Sequence, residues 1–203
     1  NYTTADNWKE YARQWVWQNN AFMGTLDGDG HTISGLYYNG SDSKVGLFCY
    51  VNGATIRRLR ISNSSVTSSG FATAILIGQA SGNVRISDVY VDETNTVKST
   101  YNVIAKNDDR SAGGFVGYGG GNVFIENSAY LGTVEGTAQY GSFVGNIWAS
   151  VSVKNSFSPL SLEFYAREKN NPNLTTDSVN NYGAGTIAEN GVTLITADKM
   201  VGS

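Results

Sequence analysis

The chain has 203 residues, is 40% hydrophobic and only 15% charged, and carries a formal net charge of −3. Sparse charge with 12% aromatics excludes a disordered segment, and the scarcity of Lys, Glu and Arg argues against a helical protein. The acidic balance gives no electrostatic reason to expect nucleic acid, and no apolar run of about 18 residues is present to form a transmembrane helix.

Taken from the N-terminus, Trp8, Tyr11, Ala12, Trp15 and Val16 recur at helical spacing. Thr3 and Thr4 precede them as N-cap candidates, and Asp6 and Asn7 fall in the first turn. An amphipathic helix over residues 4–17 is expected, with an aromatic face that caps the open end of the next structural unit.

The chain beyond residue 20 is repetitive. Gly46-Leu47-Phe48-Cys49-Tyr50 returns as Ala74-Ile75-Leu76-Ile77-Gly78, as Gly113-Gly114-Phe115-Val116-Gly117 and as Gly141-Ser142-Phe143-Val144-Gly145, at steps of 28, 39 and 28 residues. Each copy precedes a second phrase centred on Ile56, Ile86, Ile125 or Val153. In that second phrase apolar residues are spaced three and then two apart: Ile33, Leu36, Tyr38; Ile56, Leu59, Ile61; Ile86, Val89, Val91. Spacing by two is strand alternation with one buried face. Spacing by three implies one extra residue at a bend between short strands. The third copy slips, with Ile125 followed by Ala129 and Leu131, which suggests a bulge. The glycines fit tight corners that need φ > 0 or close backbone approach. Phe48, Phe115 and Phe143 are core by their place in the repeat.

A period of 28 suits a solenoid whose coils bury together a core that none could bury alone. The expected fold class is all-β, a right-handed parallel β-helix with an N-terminal capping α-helix. The rival, a β-propeller, needs blades of about 40 residues with four antiparallel strands each. One domain is expected over 1–203: a helical cap at 1–20, repeat coils at 21–158, and a closing segment and exit linker at 159–203. Eleven extra residues fall in the Asp92–Ala112 region and are expected to protrude as a loop or hairpin. The abrupt start at Asn1 and stop at Ser203 suggest an excised module with covalent neighbours in a larger parent chain.

Candidates for chemistry are few. Cys49 stands alone within an apolar phrase, so it forms no intramolecular disulfide and reads as a small buried hydrophobe. His31 lies in the turn Asp27-Gly28-Asp29-Gly30-His31. Its two Asp fall short of a calcium loop, and the turn reads as a corner with His31 capping the bend. Arg57, Arg58 and Arg60 form the basic cluster and read as a solvated strand face rather than a phosphate site. Asp88 with Asp92 or Glu93, and Asp108 with Asp109, are conceivable carboxylate pairs for glycoside chemistry, although surface carboxylates are the plainer reading. Gly117-Tyr118-Gly119-Gly120-Gly121 lacks the Lys and the following helix of a phosphate loop. Tyr118, Tyr140 and Trp148 fall outside the apolar register, at expected coil corners. Flat aromatics there can stack on the C–H faces of sugars, which makes these three the candidate ligand-binding residues. No catalytic residue, metal or cofactor is assigned.

The run Phe22-Met23-Gly24-Thr25-Leu26-Asp27-Gly28-Asp29-Gly30-His31-Thr32-Ile33-Ser34-Gly35-Leu36 resembles the opening coil of GLUG-type repeat domains of bacterial secreted and cell-surface proteins. Val45-Gly46-Leu47-Phe48, Gly53-Ala54-Thr55-Ile56, Gly114-Phe115-Val116-Gly117 and the tail Gly191 to Met200 continue the likeness. It covers roughly residues 22–157 plus that tail, and departs at Tyr50, where the other phrases end in Gly. The resemblance implies a right-handed β-helix, export and a non-catalytic role in adhesin-like proteins. The expected function is adhesion or glycan binding, with an extracellular glycan or a host or surface protein as partner and neither nucleic acid nor membrane insertion. A rigid spacer or stalk is one alternative, and a polysaccharide lyase or glycoside hydrolase is another.

Overall fold

The structure, a computed structural model, describes residues 20–101, 110–136, 139–159, 165–167, 175–179, 181–183 and 192–194. The expected helix over residues 4–17 lies outside the described residues, as do residues 102–109 of the expected insertion.

The described residues are all-β, with no helix, and every strand pair is parallel. The strands form four stacked sheets of 11, four, four and five strands. The chain visits them in a fixed order. One repeat runs through Thr55–Ser62, Ser65–Ser68, Ala72–Ala74 and Ile77–Ser81, and the next through Asn83–Val91, Thr96–Ser99, Ser111–Gly113 and Val116–Gly119. Each strand pairs with its equivalent one repeat away, for example Ile86 with Ile56 and with Ile125. This order is consistent with a parallel β-helix. Pairing continues past Phe157, where Thr175–Val179 joins Ser150–Lys154 in the first sheet and Val192–Leu194 joins Asn181–Gly183.

Equivalent side chains stack in the core. Ile56, Ile86, Ile125 and Val153 are buried in one column. Phe115 lies face to face with Phe143 at 5.2 Å and 12°, and edge-on to Tyr130 at 5.9 Å and 82°. Such ring pairs add about 0.5–1.5 kcal/mol each to the burial itself. Phe48 does not join them. It pairs with Ile77 rather than with Leu76, is half-buried, and stacks on Phe22 at 4.7 Å. The second copy of the phrase carries one more residue than the first between the third and fourth sheets, as the pairs Val45–Thr73 and Phe48–Ile77 show.

That shift explains the departure at Tyr50. Tyr50 pairs with Gln79, so Cys49, not Tyr50, occupies the place of Gly78, Gly117 and Gly145. The glycines are required there by close approach, not by a left-handed backbone: none of the three has positive φ. A Cβ on Gly78 would lie 2.7 Å from the Val45 nitrogen, and one on Gly117 would lie 2.6 Å from the Thr73 nitrogen. One on Gly145 would lie 2.6 Å from the Ala112 carbonyl. Each Cβ would meet both the third-sheet strand of the preceding repeat and the carbonyl oxygen of its fourth-sheet neighbour (Cys49, Gly78 or Gly117, at 2.7, 2.8 and 2.6 Å), so third and fourth sheets meet backbone to backbone. Among the described residues no third-sheet strand precedes Lys44–Val45, and Cys49 is accommodated. Burial, above all, pushes its thiol up to about 12, which keeps it protonated and unreactive.

The third copy of the second phrase does not slip. Ala129 pairs with Tyr90, and Tyr130 pairs with Val91. The residues keeping the three-then-two spacing are Ile125, Ser128 and Tyr130, all buried. A serine stands where the two preceding repeats have Leu59 and Val89, and its polarity hides the apolar pattern. Its hydroxyl accepts from the Val89 amide at 3.1 Å and donates to the Glu126 carbonyl at 2.7 Å.

The expected insertion is narrower than Asp92–Ala112. Thr96–Ser99 belongs to the second sheet and pairs with Ser65–Ser68, and the register places eight of the extra residues between Ser99 and Ser111. Their two ends are held together where the Arg110 guanidinium lies 3.3 Å from the Tyr101 ring centre.

Because the approach at Gly117 is to backbone, Gly117→Ala should lower stability by about 3 kcal/mol. Gly120→Ala should stay within about 0.5 kcal/mol, because its Cβ would press only on the Tyr118 ring, at 3.2 Å, and would meet the Ala80 carbonyl and Gln79 Nε2 at ordinary contact distances of 3.5 and 3.7 Å. Urea unfolding of the two variants measures the difference.

Candidate functional site

The first sheet is bent, and the bend is built one residue per repeat. Arg58, Asp88, Asn127 and Asn155 have φ of 52°, 55°, 49° and 50°. Each stands two residues after Ile56, Ile86, Ile125 or Val153, at the extra position that the spacing of three requires. Asp and Asn adopt this left-handed conformation at low cost, whereas most other residues strain by about 1–2 kcal/mol. Their side chains form a ladder: the Asn127 amide donates to the Asp88 carboxylate at 3.4 Å, and the Asn155 amide donates to Asn127 Oδ1 at 3.2 Å.

Arg58 has no such tolerance, and is held by a partner. Its Nε and Nη2 donate to the two oxygens of Asp27 at 2.7 and 2.6 Å, and Arg57 Nε adds a bond of 3.0 Å. The Arg58 hydrogen bonds, foremost, hold the Asp27 carboxyl well below the usual carboxylate range. Arg58 also lies 3.2 Å from Asp29. The carboxylates of the Asp27–Asp29 turn thus face guanidinium groups. The turn is the corner expected: Asp29 and Gly30 have positive φ, and the His31 amide donates to the Gly28 carbonyl at 2.8 Å. The His31 side chain is exposed. All three arginines of the cluster are exposed.

The bend leaves a groove of about 590 Å³ along the outside of the sheet. One wall is the ladder of Asp88, Asn127 and Asn155 beside Arg58. Buried Leu59, Val89, Ser128 and Ser156 lie between the walls. The other wall is the row Arg60, Tyr90, Ala129 and Phe157, which pair in that order across the sheet. Tyr90 is 38% exposed. Ala129 leaves a notch between Tyr90 and Phe157, which are two strand spacings, about 10 Å, apart. One edge of the groove is therefore rich in amide and carboxylate groups, and the other is aromatic.

None of the aromatics singled out from the sequence lines this groove. Tyr118 and Tyr140 are not at corners but within strands, Val116–Gly119 of the fourth sheet and Gln139–Gly141 of the third. Tyr118 packs on Phe71 at 4.8 Å. Tyr140 and Trp148 are 40% and 50% exposed, and Trp148 does lie at the corner between the fourth and first sheets. The carboxylate pairs fare differently. Asp88 belongs to the ladder. Asp92 caps the next corner, accepting from the Thr94 amide at 3.0 Å, from Asn95 Nδ2 at 2.8 Å and from the Thr94 hydroxyl. Asp108 and Asp109 lie outside the described residues. Among the described residues no cluster of three His, Cys, Asp or Glu side chains is placed to hold a metal ion.

The groove had a signal in the sequence. The second position after each buried centre is Arg, Asp, Asn, Asn, and the fourth is Arg, Tyr, Ala, Phe. Reading only the apolar positions passes over both rows.

If the left-handed backbone is the reason for Asn at this place, Asn127→Val should cost about 1–2 kcal/mol more than Asn127→Gly. Paired thermal or denaturant unfolding curves measure this. In comparisons with known proteins, no family model, curated protein or solved structure matches this chain.

Proposed function

We propose that this chain is a non-catalytic, carbohydrate-binding module of a bacterial secreted or cell-surface protein. In this reading it is a GLUG-type, right-handed parallel β-helix with a capping N-terminal helix. The fixed order in which the chain visits four parallel sheets supports the solenoid, and right-handed crossovers are the rule for parallel strands. The residues that resemble GLUG repeats support the family.

The groove is the observation that carries the function. A sugar ring presents hydroxyls at its edge and C–H bonds on its face. The ladder wall answers the edge: an Asn side chain has two N–H donors and an acceptor oxygen, and the ladder bonds of Asn127 and Asn155 use only part of that capacity. Tyr90 and Phe157 answer the face. Binding sites combine an apolar surface with a few fixed polar groups in this way. The rungs repeat at about 4.8 Å, so a linear sugar chain meets similar chemistry at successive steps. Among the described carboxylates, Asp88 accepts from Asn127 and Asp92 from its own turn.

A glycan array followed by affinity electrophoresis tests this reading. Wild type should be retained by at least one polysaccharide, Tyr90→Ala should weaken retention roughly tenfold, a loss of about 1.4 kcal/mol, and Trp148→Ala should leave it unchanged. Loss with Trp148→Ala alone moves the site to the exposed corner aromatic. Absence of retention by every glycan leaves a spacer role.

A further inference from the structure

The charges around the groove are not equivalent, and they narrow the ligand. Arg57 and Arg58 are occupied by Asp27, and Arg58 also by Asp29. Arg60 differs. It is exposed and stands in the aromatic row, where its guanidinium lies 5.7 Å from the centre of the Tyr90 ring. Among the described residues no carboxylate pairs with it. Arg60 thus offers a planar set of donors, suited to a carboxylate, beside a ring suited to a sugar face. The one carboxylate lining the groove, Asp88, is on the opposite wall and accepts from Asn127.

We propose that the groove takes a linear polysaccharide bearing carboxylates, a uronic-acid polymer, with one acid group on the Arg60 guanidinium and its ring on Tyr90. This rests on the glycan reading and adds to it the acidity and the register of the ligand. Hydroxyls of the next units meet the amides of Asn127 and Asn155. Asp88 accepts hydroxyls but repels a carboxylate, so the acid groups keep to the Arg60 wall. The asymmetry also fixes the direction in which the polymer lies. Arg60 has a second use when no ligand is bound, since a guanidinium beside a tyrosine ring is favourable by itself. The Arg60–Tyr90 pair is therefore in place before the acid group arrives.

The experiment uses the full chain, with polygalacturonate and polymannuronate as probes beside the same polymers after chemical reduction of their carboxyl groups. Isothermal titration calorimetry should give at least tenfold tighter binding to an acidic polymer than to its reduced form. The preference should shrink as salt is raised. Arg60→Gln should abolish the preference while keeping the affinity for the reduced polymer, and Lys98→Gln, remote in the second sheet, should leave the preference intact. Arg60 is exposed, so its replacement leaves the fold standing, and a thermal melt checks this. Equal binding to acidic and reduced polymers overturns the acid assignment and leaves the glycan reading in place. A preference that survives Arg60→Gln overturns the role of Arg60. Failure of all four probes, with neutral glycans still retained on the array, also overturns the acid assignment; failure on the array as well removes the glycan reading beneath it.

Discussion

The structure depends on one close approach: the third and fourth sheets meet at backbone distance through Gly78, Gly117 and Gly145. No other residue fits where a Cβ would sit under 3 Å from the neighbouring main chain. The meeting brings Ala72, Thr73 and Ala74 of one strand to near-complete burial, alongside Ile77 and Gly78 of the next strand. The glycines therefore do more than turn corners. They set two sheets against each other with little side-chain volume between them, and larger side chains gather elsewhere, in the column of Phe115 and Phe143 and in the row from Ile56 to Val153.

A second constraint comes from the first sheet. It is the broadest, at 11 strands, and it bends within its strands. The bend needs a residue that tolerates left-handed backbone, and Asp88, Asn127 and Asn155 supply it cheaply. The same polar side chains then line the groove. A residue chosen by backbone geometry thus also sets the chemistry of the surface. Arg58 is the exception that supports the rule, since its strain is offset by a two-point bond to Asp27. The Gly28–His31 turn, which replaces the one-residue bend in the first repeat, closes that end of the groove through Gly30.

The architecture is legible in the sequence because core positions recur. Strand periodicity, the buried columns and the bend at a spacing of three can be read from Ile56, Leu59 and Ile61 and their equivalents. The features that escape do so for identifiable reasons. Ser128 keeps the register without being apolar, so a regular repeat looks like a bulge. One residue fewer in the first copy moves Phe48 out of the aromatic column and puts Cys49 in a glycine place, and no single-residue periodicity reveals such a shift. Tyr118 and Tyr140 resemble corner residues because their phrases begin and end in Gly, yet these glycines mark sheet contact within strands. The groove is hidden because its residues are defined by their offset from the core, not by their own pattern.

In the proposed reading the bend of the first sheet, and not the exposed aromatics elsewhere, is the working surface. Hydrogen–deuterium exchange of the full chain, with and without a saturating acidic polysaccharide, tests it most directly. Slowed exchange is expected only at residues 58–60, 88–90, 127–129 and 155–157, which come together at the groove. Slowed exchange around Tyr118, Tyr140 and Trp148, with the bend unchanged, would contradict it.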